Sequence, residues 1–162
     1  MARFQTVRRR ARFQVVGYSH EAMRAIADPT NASILSRIRR GETVQDAPAK
    51  PLKVPAGASE ARRRNSYPER KKRKGLKDIR DWTFTGHTLR CAKVLSTSIN
   101  RAVLGFLDAT LPGRKKSAAG IAAIRNADER QYGLSPSDKR VLADALHSVT
   151  VKYKPVQAKR VS

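Results

Sequence analysis

The most restrictive feature of this sequence is a cationic segment near its middle. Residues 62–80 contain ten Lys and Arg side chains against only two acids, Glu69 and Asp78, in a chain of 162 residues with a formal net charge of +22. Two acid-free basic segments, residues 3–12 and 152–160, lie toward the ends. Because like charges at this density repel one another, the central segment disfavours a compact core and predicts a polyanionic or acidic partner.

The length fits one domain with a modest core and extended basic material. Hydrophobic residues make up 40% of the chain but aromatic residues only 6%, so the expected core is aliphatic. No apolar run approaches the roughly 18 to 20 residues of a membrane span, so we expect no membrane contact. The Arg-rich start resembles a mitochondrial presequence in composition, although residues 13–18 favour a strand there.

The N-terminal region is predicted to form an edge strand and then a helix. Residues 13–18 are rich in β-formers, and Ser19 stands where a helix N-cap belongs. Apolar residues recur at three- and four-residue spacing across residues 20–40, which predicts an amphipathic helix ending at Gly41. Pro29 interrupts this helix, so we expect a kink or two short helices.

Residues 42–78 are predicted to be a long basic arm or loop. Three prolines and a glycine between residues 48 and 57 disfavour regular structure. Residues 60–65 favour a short helix, but Pro68 and Gly75 break the rest. We expect residues 42–75 to be largely disordered in an isolated subunit and protected on assembly.

The C-terminal half is predicted to contain a hairpin and two helices. Residues 90–96 and 101–107 favour strands joined by a four-residue loop. Ser117 is placed to cap a helix over residues 118–131, with Ile121 and Ile124 inward and Gly133 as its stop. Ser135 and Asp138 form the pattern of a capping box at the start of the last helix, and the alternation after Val149 predicts a short final strand.

These elements predict an α+β fold, in which a small antiparallel sheet with a central hairpin packs against two to four helices. We assign residues 1–41 to a basic arm, strand and kinked helix, residues 42–78 to the basic arm, residues 79–153 to the hairpin and capped helices that complete one domain, and residues 154–162 to a basic tail.

The sequence offers little to build an active site from. The three histidines are scattered, no glycine-rich phosphate loop is present, and the single cysteine excludes an internal disulfide or a multi-cysteine zinc site. His87 and Cys91 would lie close together on a helix, where Cys91 could act as a thiol nucleophile. Cys91 lies where a buried strand is predicted to begin, however, so we interpret it as a core residue. We therefore predict no enzyme activity, no catalytic residue, no metal and no cofactor.

Phosphate contacts by Lys and Arg would give sequence-independent affinity for nucleic acid. The sequence lacks the aromatic pairs, Gly-X-X-Gly clamp or Cys/His finger of common RNA- and DNA-binding modules. The predicted partner-binding residues of the arm are therefore its cations: Arg62, Arg63, Arg64, Arg70, Lys71, Lys72, Arg73, Lys74 and Lys77.

Several short motifs resemble a family of tailed-phage proteins. Residues 81–90, Asp-Trp-Thr-Phe-Thr-Gly-His-Thr-Leu-Arg, match a Thr-Gly turn before two strands, the second of which ends here in Val-Leu-Gly-Phe. Arg-Gln-Tyr-Gly at residues 130–133 and Leu-Ser-Pro-Ser-Asp at residues 134–138 resemble later elements of the same family, and a basic Lys-Gly stretch precedes the turn. The family is the Mu-type virion morphogenesis or tail-completion group, and the likeness covers residues 66–146.

This resemblance implies a structural virion protein that forms a homo-oligomeric ring at the neck between head and tail. It also implies neighbouring neck, adaptor or tail proteins as partners, DNA in the lumen as another neighbour, and assembly in the host cytoplasm. Thr85, Gly86, Gly133, Ser135 and Asp138 are then structural turn and cap residues. The alternative reading is a ribosomal or nucleoid-type basic nucleic-acid-binding protein, in which the motifs are coincidental.

Overall fold

The computed structural model describes residues 11–14, 18–54, 56–79, 81–82, 86–110 and 116–152. Their secondary structure consists of strands β1 (Ala11–Gln14), β2 (Ala92–Ser98) and β3 (Arg101–Phe106), and of helices α1 (His20–Arg40), α2 (Glu60–Arg64), α3 (Tyr67–Lys72), α4 (His87–Arg90), α5 (Ala118–Asp128) and α6 (Pro136–Lys152). The predicted α+β class is confirmed.

The three strands form an antiparallel sheet in the order β1-β3-β2, so the hairpin strand β3 is central. Ala102 and Leu104 on β3 are fully buried. Strand β2 carries an irregularity in register between Val94 and Ser96, which marks a β-bulge on this outer strand. The hairpin turn is shorter than the predicted four residues, because β2 extends to Ser98 and β3 begins at Arg101.

Helix α1 packs on β2 and β3 and lies along α6. Its buried stripe contains Met23, Ile26, Ile34 and Ile38, the apolar positions expected from the spacing. The side chain of Ser19 accepts a hydrogen bond from the backbone N–H of Ala22, which confirms the predicted N-cap. We call β1–β3, α1 and α6 the sheet-and-helix core.

Both ends of α1 are as predicted, and of the two expectations for Pro29 that of two short helices is wrong. The helix ends at Gly41, whose φ of 76° is the left-handed conformation favoured by glycine. It runs through Pro29 as one element of 21 residues. Pro29 is exposed, so the carbonyl that loses its N–H partner can be hydrated on the solvent side.

The predicted C-terminal strand is wrong, because α6 continues to Lys152. Val149 is buried against the core in this helical form. The hydroxyls of Tyr18 and Thr150 are hydrogen-bonded, which ties the same turn of α6 to the start of α1. The short alternation that begins at Val149 fits a strand or a helix equally well. The packing of α6 against α1 favours the helix.

Two predictions for α5 also need correction. Ile124 was expected to point inward, but it is 53% exposed, and the buried positions of this helix are Ala118, Ala122 and Asn126. The helix ends at Asp128, well before Gly133, so Gly133 does not cap it. The carbonyl of Gly133 instead accepts a hydrogen bond from the buried guanidinium of Arg37.

The predicted basic arm contacts the rest of the protein at a few points, and most of its residues are exposed. Val44 donates its backbone N–H to the Arg130 carbonyl at 2.9 Å. Within the arm, the backbone N–H of Leu52 donates to the Asp78 carbonyl at 2.9 Å. An isolated bridge pairs Pro51 with Ile79. We call residues 42–54, 56–79 and 81 the docked segment. The expected disorder of residues 42–75 in an isolated subunit stays a prediction.

Candidate partner interface

The cations of α2, α3 and the turn after them lie on one short stretch of the docked segment. Eight of the nine predicted partner-binding residues are exposed, and we call this set the basic surface: Arg62, Arg63, Arg64, Arg70, Lys72, Arg73, Lys74 and Lys77. Nothing of its length in the described protein is as densely cationic.

Local signals explain why this stretch is helical despite its charge. Ser59 caps α2 by accepting a hydrogen bond from the backbone N–H of Arg62. Glu60 in the first turn of α2 pairs with Arg64, and Glu69 in the first turn of α3 lies 3.4 Å from Lys72. The two acids therefore offset part of the repulsion within each helix.

A backbone contact holds the two helices together. The guanidinium of Arg73 donates to the carbonyl of Arg64 at 2.8 Å, which joins the end of α3 to the end of α2. This bond satisfies a carbonyl at a helix C-terminus, where cations are favoured by the helix dipole. The remaining donors of Arg73 still face solvent, because the residue is exposed.

Lys71 departs from the expectation of a surface contact. Its side chain is fully buried, and its ammonium donates to Asp81 at 2.5 Å and to the Ile79 carbonyl at 2.6 Å. Asp81 is itself buried. A buried ammonium needs a paired carboxylate and further acceptors, so Lys71 anchors α3 and is not available to a partner while this ion pair is intact.

A half-buried tyrosine adds to the anchoring of α3. The pKa of Tyr67 is raised by burial, and this rise is partly offset by the nearby charge and hydrogen bond of Arg125 in α5. Arg125 also stands over the ring of Trp82 at 5.9 Å. Trp82 is buried and packs on Phe106 of β3, with ring centroids 5.8 Å apart. Aromatic packing therefore links the basic surface to the sheet.

The predicted structural turn and cap residues have mixed outcomes. Gly86 has a φ of 65° and precedes α4, a short helix that the sequence did not predict. Because α4 occupies residues 87–90, β2 begins at Ala92 and not at residue 90. Thr85 lies outside the described residues. The predicted capping box is confirmed: Asp138 donates its backbone N–H to the Ser135 hydroxyl, and Ser135 donates its own to the Asp138 carboxylate, both at 3.1 Å.

Asp138 has a second role that the motif alone did not reveal. Its carboxylate accepts a hydrogen bond from the guanidinium of Arg37 at 2.8 Å and another from the Ser33 hydroxyl. Both ion-pair side chains are fully buried. The signal for Arg37 was present in the sequence, because this cation occupies an inward position of the apolar stripe of α1.

A further contact at the same helix end was not predicted. Asp46, whose φ is 57°, accepts hydrogen bonds from the backbone N–H and the hydroxyl of Ser137 at 2.8 and 2.7 Å. The hydroxyl of Ser135 and the donors of Ser137 lower the pKa of Asp46. A carboxylate from the docked segment thus joins the N-terminus of α6, where negative charge is favoured.

The described residues give no sign of a metal centre or a membrane span. They hold no group of three or more His, Cys, Asp or Glu side chains that could bind a metal ion. Across the same ranges, no helix combines the length and apolarity needed to cross a bilayer. His87 and Cys91 do approach to 3.7 Å, but Cys91 is buried at the end of α4, one residue before β2.

Comparisons with known proteins assign no relative to this arrangement. No protein-family model, curated protein or solved structure matches the chain.

Proposed function

We propose that this chain is a structural protein of a tailed-phage virion, forming a homo-oligomeric ring at the neck, where it completes the tail or joins it to the head. The order of the Thr-Gly turn, the hairpin and the Gly-Leu-Ser-X-X-Asp element supports this proposal. Each of these elements has a structural role here: Gly86 adopts a left-handed conformation, and Ser135 and Asp138 form a capping box.

The observation that carries the proposal is the open sheet. Within the described ranges, β1 and β2 each pair on one side only, with β3. Both are antiparallel to β3, so they run parallel to each other. Contact between the β1 edge of one subunit and the β2 edge of the next would be heterologous, and such contacts generate rings when the rotation closes.

Exposed apolar side chains lie beside the same edge. Ile99 at the tip of the hairpin is 74% exposed, and Leu95 at the bulge of β2 is 38% exposed. Leu95 partly covers Gly105, where an added Cβ would lie 2.7 Å from a Leu95 methyl group. The hairpin therefore presents two apolar side chains that a neighbouring subunit could bury.

The ring is tested by measuring the mass of the purified chain at low and high salt. We expect assemblies of several subunits that persist at high salt, since backbone pairing and apolar contacts are little screened. Ile99→Glu should shift the population toward monomer, whereas Ile124→Glu on α5 serves as the matched control. A chain that is monomeric at all salt concentrations and also inside its native particle contradicts the proposal.

The role in the virion is tested in the phage that encodes the chain. Interrupting the gene should yield heads and tails that fail to join, and supplying the intact chain should restore joined particles. Joined, infectious particles that lack the chain would argue against a neck protein. In that case the basic surface favours the alternative, a cellular nucleic-acid-binding protein.

A further inference from the structure

We infer that the basic surface binds the phosphate backbone of duplex DNA without regard to sequence. This inference deepens the proposed function by naming the partner of one surface of the neck protein. It rests on the exposed side chains of α2, α3 and the following turn, and it is independent of which sheet edge forms the ring.

The first argument is the balance of charge on the surface. Eight exposed cations are opposed by Glu60 and Glu69, which pair with Arg64 and Lys72, and by Asp78 just beyond. The chain already carries a net charge of +22, so solubility does not require this local excess of positive charge. A polyanion with regularly spaced charges releases counterions when such a surface neutralises it.

The second argument concerns what the surface lacks. The exposed large apolar side chains of the described protein are Leu95, Ile99, Leu107 and Ile124, and none lies on the docked segment. Protein interfaces usually have apolar or aromatic anchors at their centre and few lysines. This surface, in contrast, consists of eight exposed cations, three of them lysines, with no exposed large apolar side chain among them. That composition favours phosphate over an acidic protein.

The third argument favours a duplex over a single strand. Single-stranded nucleic acid is commonly held by stacking its bases on exposed aromatic rings. The aromatic residue within α3, Tyr67, is half-buried against Arg125, and Trp82 is buried in the core. The basic surface therefore offers phosphate contacts without a stacking platform, which suits the outside of a double helix.

The fourth argument is that the surface is already held in place. Pro68 and Lys71 of α3 are buried, and Lys71 pairs with Asp81, which is buried next to Trp82 of the hydrophobic core. The bond from Arg73 to Arg64 then joins α2 to α3. A preformed surface binds without the entropic cost of ordering a free arm. Cations presented this way can contact phosphates in a single encounter.

The test measures binding of a fluorescent duplex of about 24 base pairs to the full-length chain as salt is raised from about 50 to 300 mM. The test variant carries Arg62→Gln, Arg63→Gln, Lys74→Gln and Lys77→Gln. It leaves Lys71 in place, so the anchor of α3 is unchanged. The control variant carries Arg24→Gln, Arg39→Gln, Lys139→Gln and Arg140→Gln, the same change in charge on exposed positions of α1 and α6.

Affinity falls as salt rises, and we expect the test variant to make the slope of log affinity against log salt less steep by roughly 3 to 4. Binding near 100 mM salt should weaken about a hundredfold. The control should change either quantity far less. Circular dichroism should show that both variants keep the helix content of the parent.

Three results would overturn the inference. Equal losses in the test and control variants would mean that binding follows net charge and not this surface. Tighter binding of a single strand of equal length would point to base stacking elsewhere in the chain. Tighter binding of polyglutamate than of duplex DNA would identify an acidic protein as the partner.

The outcome is separable from the neck proposal. If the chain forms rings and joins heads to tails but the test variant binds DNA like the parent, only the DNA inference fails. If the variant loses DNA binding while particles without the chain still join, the neck proposal fails and the DNA-binding surface remains.

Discussion

The sheet-and-helix core and the docked segment are held together by different forces. In the core, Met23, Ile26, Ile34 and Leu104 are fully buried, so removal of apolar surface from water dominates. The docked segment contributes the small buried apolar residues Ala49 and Pro68, and otherwise relies on backbone bonds, caps and the Lys71–Asp81 ion pair. Stability concentrated in a few polar contacts can be lost locally while the core stays folded.

Arg37 lies where the two regions meet. From α1 its guanidinium reaches the Asp138 carboxylate at 2.8 Å, the Gly133 carbonyl at 2.8 Å and the Glu42 carbonyl at 3.2 Å. One side chain therefore connects α1, α6 and the start of the docked segment. The comparison predicts that losing this residue damages both regions, whereas losing Lys71 damages one.

The largest effect is expected for Arg37→Met, which leaves the Asp138 carboxylate buried without its cation. We expect a loss of about 3 to 5 kcal/mol in the free energy of unfolding, measured by chemical denaturation. Arg39→Met changes an exposed arginine of the same helix and should cost about 0.5 kcal/mol or less. Equal losses for the two variants would show that the buried pair does not join the regions.

Lys71→Met should loosen the part of the docked segment around α3 without unfolding the core. The substitution removes the cation of a buried ion pair, so we expect the opening free energy of residues 60–79 to fall by about 3 kcal/mol, read from amide hydrogen exchange and trypsin cleavage. Core amides of α1 and β3 should be little affected. Lys72→Met, at an exposed position, is the control, and uniform faster exchange across the chain would contradict a separable segment.

Glycine substitutions sharpen the comparison at the entrance to the hairpin. Gly86 has a φ of 65°, and an added Cβ would lie 2.9 Å from the Arg90 guanidinium, so Gly86→Ala should cost about 1 to 2 kcal/mol. Gly86→Val should cost more. Gly120→Ala, within α5 and with a Cβ contact of 3.5 Å to Ser117, should be neutral or stabilising by up to about 1 kcal/mol. Matching thermal stabilities for Gly86→Ala and Gly120→Ala would show that the turn does not require glycine.

The smallest effect is expected at Asp46, where the docked segment meets α6. Its folded-state pKa is lowered from 3.8, so its contribution is fully present above that value and is lost as the pH falls through the lower folded pKa. The difference in melting temperature between the parent and Asp46→Asn should be constant from neutral pH to about 4 and then shrink. Asp28→Asn, at an exposed residue of α1, is the control, and a pH-independent difference at Asp46 would contradict the assignment.

Local signals in the sequence predicted much of the core correctly. Ser19 and Gly41 bounded α1, and the pair Ser135 and Asp138 marked the start of α6 because both act on backbone groups within a few residues. The sequence also predicted the hairpin, although the predicted loop had four residues and the turn in the structure has two. The sequence did not predict α4, since four residues are too few to establish a helical period.

The basic surface was predicted in composition but not in arrangement. Eight of the nine proposed cations are exposed, as the charge pattern indicated. Lys71 is the exception, and nothing in the run of cations distinguishes it from Lys72, its neighbour. Its burial depends on Asp81, ten residues later, which the fold brings to the ammonium.

The sequence by itself determined the class of the fold, both ends of α1, the start of α6 and the presence of a strongly cationic surface. These depend on short-range properties: apolar spacing, capping side chains, turn residues and net charge. Only the tertiary structure decided which charges are buried and how the docked segment lies. Arg37 and Asp138 are 101 positions apart, and a charge leaves water only where folding places its partner within bonding distance.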